Sequence, residues 1–137
     1  MALAENIRNG HYGINLNEFS SPSSSILWPF ILSLFPFFEY SPFLINLVAS
    51  LAVVSIFVKI LNILFNSENN KINNLLISVI VIQLILATNI VGLLFTGMEH
   101  SFQVLLVLIV AYGLLLIIGK GELKWWLIFA IILAPLV

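Results

Sequence analysis

The sequence predicts an all-α, polytopic transmembrane helix bundle, and three observations carry that expectation. Of its 137 residues, 61% are hydrophobic and only 8% charged, more apolar than a soluble core of this size requires. Apolar runs of about 18 residues or more recur, long enough to cross a hydrocarbon layer of roughly 30 Å at about 1.5 Å per helical residue. Short polar stretches separate them, and in lipid each run must be helical, because an open strand would leave backbone N–H and C=O groups unpaired.

Taken in order, residues 1–25, "MALAENIRNGHYGINLNEFSSPSSS", stay polar. They lack a cationic stretch feeding an apolar core and do not read as a targeting signal. Ile26–Phe38 is apolar but holds Pro29 and Pro36; as a helix it reaches only about 20 Å and is expected to lie in the interface or re-enter. Phe43–Phe65, Asn74–Phe95 and Ser101–Ile118 are each expected to span fully. Trp125–Val137 opens a further run that stops short of a crossing, and the pair Trp125-Trp126 suits an interfacial belt. The breaks are "EYSP" (39–42), the Asn-rich "NSENNKIN" (66–73), "TGMEH" (96–100) and "GKGELK" (119–124). Within the spans Asn46, Ala49 and Ser50 share one face, as do Gly92 and Thr96, and small or amide-bearing positions of this kind mark helix–helix packing. Gln83 and Asn89 are expected to hydrogen-bond to neighbouring helices for the same reason.

Orientation follows from the lysines. Lys59, Lys71, Lys120 and Lys124 fall on one side if each long run crosses once, and the positive-inside bias makes that side cytoplasmic. Residues 96–100 and Glu39 then face the opposite, extracytoplasmic compartment, together with residues 1–25 if Ile26–Phe38 does not cross. The expected location is the plasma (inner) membrane, with the lipid bilayer as the first partner. A net charge of −1 offers no basic face for nucleic acid, and the lack of Cys leaves the redox compartment open.

The chain contains no Asp, and its acids are Glu5, Glu18, Glu39, Glu68, Glu99 and Glu122. The stretch "TGMEHSFQ" (96–103) puts Glu99 and His100 between two apolar runs. A turn between membrane helices needs polar residues in any case, so the stretch reads either as a solvated turn or as part of a site. If the next helix starts there, Glu99 and Gln103 share a face at i, i+4 while His100 points elsewhere. Glu5, Arg8 and His11 make a second polar group in the first segment. Arg8 is suited to bidentate phosphate recognition, although a lone Arg in a polar segment is commonly just solvated.

"ALAENIRNGHYGINLNE" followed by "SSSILWPFILSLF" resembles the first extracytoplasmic loop of C-type (GT-C) membrane glycosyltransferases, in the bacterial arabinofuranosyl- and mannosyltransferase-like branch. Ala4, Asn6, Gly10 and Gly13 fill one part of that pattern, and Ser24, Ser25, Leu27 and Trp28 the other, with Ile26 where Pro is usual. Gly97-Met98-Glu99 is similar to the family's Gly-hydrophobic-Glu at the second extracytoplasmic loop. The resemblance implies transfer of a sugar from a polyprenyl-phosphate-linked donor, with Glu99 as the second acidic position and Arg8, His11 and His100 as substrate-binding candidates. It also implies a possible divalent metal in the full-length enzyme. The family's first acidic residue, usually Asp after an initial membrane helix, has no counterpart here, and the family continues beyond "LAPLV". The expectation is therefore one membrane domain, 1–25 as an extracytoplasmic loop and 26–137 as the helical region, forming a fragment that is inactive without the remaining helices of a longer chain.

A rival of another class is a small non-enzymatic accessory subunit packed against a membrane partner, which the scarcity of charge suits. A transporter subunit is a third reading, lowered because no charged residue marks an ion path at mid-membrane; Lys59 lies close enough to a span end to snorkel.

Overall fold

The computed structural model describes residues 2–15, 19, 25–35, 39–65, 70–121 and 124–137, without the side chains of residues 70–72 and 120. Ser24, residues 36–38 of the expected re-entrant segment and the side chains of Lys71 and Lys120 lie outside what is described. Among the described residues the chain is all-helical, with no strand. The order is α1 (Ala2–Arg8), α2 (Leu27–Ser33), α3 (Ser41–Leu64), α4 (Asn70–Ala87), α5 (Ile90–Thr96), α6 (His100–Lys120) and α7 (Trp125–Leu133), closed by a 3-10 turn (Ala134–Leu136).

Three stretches are long and apolar enough to cross a membrane: Ser41–Leu64, Asn73–Thr96 and His100–Gly119. They coincide with the three expected spans to within two residues, and they make this a membrane protein of all-α class. Pro42 stands in the first turn of α3, where its missing N–H is one the helix would not have paired. At the far end of α6, Gly121 adopts φ +68° and its N–H bonds to the Ile117 carbonyl at 2.7 Å, the left-handed stop that glycine permits without a Cβ penalty.

The second span is not one continuous helix. Asn89 takes a left-handed conformation, φ 48° and ψ 44°, and its Oδ1 accepts from the Gly92 N–H at 3.2 Å. A short amide side chain tolerates that backbone because it bonds locally, and the break divides the span into α4 and α5. Gly92 completes the device: a Cβ there would lie 2.4 Å from the Asn89 side-chain nitrogen. The Gly92/Thr96 pair is thus not a helix-packing face. Gly92 makes room for Asn89, while Thr96 is exposed and donates to its own Leu93 carbonyl at 2.8 Å. The expected bond from Asn89 to a neighbouring helix is likewise replaced by this local one.

α3 is the organising helix. Ser50, Val53 and Phe57 of α3 meet Ser101, Val104 and Leu108 of α6 around a shared cavity. The two sequences advance together, so the helices run side by side in the same direction. Asn46, Ala49 and Ser50 are all buried, as the small-residue face on α3 predicts. α7 returns along α6: Leu127, only 1% exposed, presses on Gly113, where a Cβ would lie 2.5 Å from its Cδ1.

Two outcomes differ at the ends. Trp126 is drawn inward and stacks on Tyr112, with ring centroids 6.4 Å apart. Only Trp125, which is exposed and edge-on to Phe129, keeps the position of an interfacial ring. The segment 26–38 yields a helix of 7 residues, Leu27–Ser33, and the polar start, read as a loop, contains the helix α1. α1 and α2 pack together, and Ala4, Trp28 and Leu32 form a buried cluster against Ile45 of α3 and Phe102 of α6. The α1–α2 pair therefore covers the end of the bundle at which α3 and α6 begin, here called the leading end.

Candidate functional site

Buried polar side chains collect at the leading end, where α3 and α6 both start. Asn46 is fully buried, Ser41 2% exposed, Glu99 5%, Ser101 5% and Ser25 1%. Asn46 Nδ2 donates to the Met98 carbonyl at 3.0 Å, tying the turn before α6 to α3. Its Oδ1 is buried with no hydrogen-bond partner. Gly97 enables that approach through its φ of +67°, a left-handed turn that glycine adopts without a Cβ penalty. Glu99 caps α6 as the residue before its first turn, with backbone φ −69° and no side-chain capping bond. A carboxylate at this place is favoured by the positive end of the helix dipole.

The α1–α2 layer is built from the residues of the first-loop pattern, each with a local physical role. Ala4, 2% exposed, is small enough to let α1 approach Trp28. Asn6 Nδ2 donates to the Gly13 and Ile14 carbonyls at 2.7 and 2.9 Å, folding the segment after α1 back on itself. Gly10 supplies the required left-handed step, φ +84°. Ser25 Oγ accepts from the Trp28 N–H at 3.1 Å and so starts α2, satisfying one of the unpaired donors of its first turn. Trp28 then faces Phe102, with ring centroids 6.5 Å apart, three positions beyond Glu99.

The candidates Glu99, Arg8, His11 and His100 do not converge on one point among the described contacts. Arg8 is exposed at the end of α1. His11 is turned into its own segment: Nε2 donates to the Asn15 carbonyl at 2.7 Å, and the ring lies 4.9 Å from that of Phe19. His100 does not point away from Gln103 as the helical spacing implied. Its Nδ1 donates to Gln103 Oε1 at 3.4 Å, an i, i+3 contact of the kind helices allow. Gln103 Nε2 donates in turn to the Val137 carbonyl. Ser25 Oγ also donates to the Leu136 carbonyl at 3.4 Å, so the last residues are tied to α6 and to the start of α2.

Asn46 is the structural residue of this end that the sequence marked only as a helix-packing position. An amide or hydroxyl on an otherwise apolar membrane-helix face was the available signal, and Asn46 carried it. Among the described residues no three His, Cys, Asp or Glu side chains come together. Glu99 by itself falls short of the several oxygen ligands a divalent cation such as Mg2+ or Ca2+ takes, so the described residues supply no ligand set for the metal implied by the resemblance. Immediately past this polar layer, the cavity of about 100 Å3 between α3, α4, α5 and α6 is lined by Ser50, Val53, Phe57, Leu84, Thr88, Ile90, Leu93, Ser101, Val104 and Leu108.

The chain matches no protein-family model, and no curated protein or solved structure is significantly similar to it.

Proposed function

We propose that this chain is part of an integral membrane glycosyltransferase that takes its sugar from a polyprenyl-phosphate-linked donor on the extracytoplasmic side of the plasma membrane. One observation supports the reading: the two stretches that resemble the GT-C family, far apart in sequence, lie at the same end of the bundle. The first stretch forms the α1–α2 layer, the second the Gly97–Glu99 turn, and Trp28 faces Phe102 between them at 6.5 Å. Under this reading the Lys-bearing loops are cytoplasmic and residues 96–100 extracytoplasmic.

The chemistry assigned to Glu99 is that of a general base. Its carboxylate removes the proton of the acceptor hydroxyl as that oxygen attacks the anomeric carbon. The bond from that carbon to the phosphate oxygen breaks, its electron pair leaves with the polyprenyl phosphate, and Glu99 later returns its proton to solvent. A site at a membrane surface suits a donor whose tail stays in the bilayer. Arg8, at the end of α1, is assigned to the phosphate under this reading.

The test is transfer of labelled sugar from polyprenyl-phosphate arabinofuranose or mannose, in membranes carrying the protein at its natural length. Glu99→Gln, which keeps size and removes basicity, is expected to lower transfer by about 10²–10⁴-fold with unchanged membrane insertion. Wild-type transfer by that variant removes Glu99 from the chemistry, and no transfer by the unaltered protein with either donor removes the reading.

A second reading, a non-catalytic accessory subunit, draws on the 5% exposure of Glu99 and the bond that fastens its turn to Asn46. It assigns the polar layer to holding α3 and α6 together. Glu99→Gln then lowers the unfolding midpoint of a protein that shows no transfer in any form.

A further inference from the structure

Gln83 stands on α4 about midway along the Asn73–Thr96 span, level with Leu84, which lines the cavity beside Val53 and Phe57. Its side chain is exposed and makes no hydrogen bond to any described residue, whereas the exposed hydroxyls of Ser78 on the same helix and of Thr88 just after it return to the α4 backbone. An amide left in hydrocarbon is costly, and ten residues of helix, about 15 Å, separate it from the Asn73 end, too far for a short side chain to reach the interface. The surface around it carries a helix-pairing register. Leu76, Val79 and Leu86 are 42%, 48% and 74% exposed, and together with Gln83 they recur at three, four and three residues, the 3.5-residue repeat of a left-handed helix pair. Gln83 stands within that seam, at a position that meets its own counterpart across a two-fold axis.

We infer that α4 is a dimerisation helix and that the occupant of this seam is a second copy of the chain. A two-fold axis along the membrane normal brings identical residues together at identical depth. The glutamine amide, donor and acceptor at once, is self-complementary in that arrangement: each Nε2 donates to the partner copy's Oε1, and both amides leave the lipid. Interhelical polar contacts of this kind favour association by about threefold to twentyfold.

The absence of Cys from the chain gives a direct test. Val79→Cys, Leu86→Cys and, as an inward-facing control, Leu84→Cys are each introduced alone into the full chain in cell membranes, and disulfide-linked dimer is measured after mild oxidation. Cross-linking is expected at 79 and 86 and not at 84. Adding Gln83→Leu, an apolar replacement of similar length on an exposed face that leaves the fold intact, is expected to reduce the dimer yield at least threefold. Equal yields at all three positions, a yield unchanged by Gln83→Leu, or linkage of 79 and 86 only to a different membrane protein would each overturn the assignment.

Discussion

Asn46 makes a sharp test of what holds the leading end together, because its two amide atoms act with opposite sign. Nδ2 satisfies the Met98 carbonyl at 3.0 Å, whereas Oδ1 is buried and unpartnered. Replacing Asn46 by Leu removes both while keeping the branching and the number of side-chain heavy atoms. Leaving a buried polar group unpaired costs about 1–3 kcal/mol. For the carbonyl the low end applies, about 1 kcal/mol, because Met98 is 44% exposed and water reaches its neighbourhood. Relief of the orphaned Oδ1 inside the bundle returns about 1–3 kcal/mol. Asn46→Leu is therefore expected to match the wild type or exceed its stability by up to about 2 kcal/mol, the difference of those two effects. Asn46→Ala undergoes the same exchange but leaves a void, and should fall about 2–5 kcal/mol below Asn46→Leu. The assay is reversible unfolding in mixed detergent micelles, with hydrogen exchange at Met98–Ser101 as the positional readout. Both variants should speed that exchange, since the tie between α3 and the Gly97–Glu99 turn is gone. A loss above about 3 kcal/mol in Asn46→Leu, beyond any single term weighed here, or unchanged exchange in both variants, would refute this account.

Two further substitutions probe the α6–α7 contact and the α1–α2 layer. Gly113→Ala sets a helix-propensity gain of about 0.5–1 kcal/mol against overpacking of about 1–3 kcal/mol, because the new Cβ falls 2.5 Å from Leu127. A net loss is expected, with a double-mutant cycle against Leu127→Ala showing coupling of about 1 kcal/mol or more; strictly additive unfolding energies would contradict the close fit of α6 and α7. Trp28→Ala removes the ring on which Ala4, Leu32, Ile45 and Phe102 meet, a change worth about 3–5 kcal/mol for a buried Trp. It should expose the segment before α3 to protease while the membrane-spanning helices stay protected. Unchanged resistance of that segment would show that Trp28 does not anchor it.

Glu99 shows how a residue can be found in the sequence while its surroundings are not. Its place was legible because a carboxylate between two apolar runs must lie near a membrane surface. Its burial was not, because that depends on α1 and α2 folding over the leading end. Those two helices hold 7 residues each, too short to be stable alone, and exist through contacts with α3 and α6 that no local pattern encodes. The same holds for Arg8 and His11, the candidates of the first segment. Arg8 is exposed at the end of α1, and His11 is folded onto Asn15 in the segment that the Asn6 staple turns back on itself.

By itself the sequence determined the class and the number of long spans. Hydrocarbon thickness and the need to pair every backbone group leave helices of about 20 residues as the one arrangement for such runs. Ala49 and Ser50 announced the packing face of α3 because close helix approach demands small side chains. Tertiary structure alone decided the rest. Asn89 breaks the second span because its amide bonds Gly92 more readily than a distant helix. Asn46 binds the turn of Glu99 because α3 and α6 run in the same direction. Gln83 faces outward because the inner face of α4 is already taken by Ile77 and Leu84. Each of these outcomes depends on which groups meet across the bundle, and residues scores of positions apart meet only once the helices have packed.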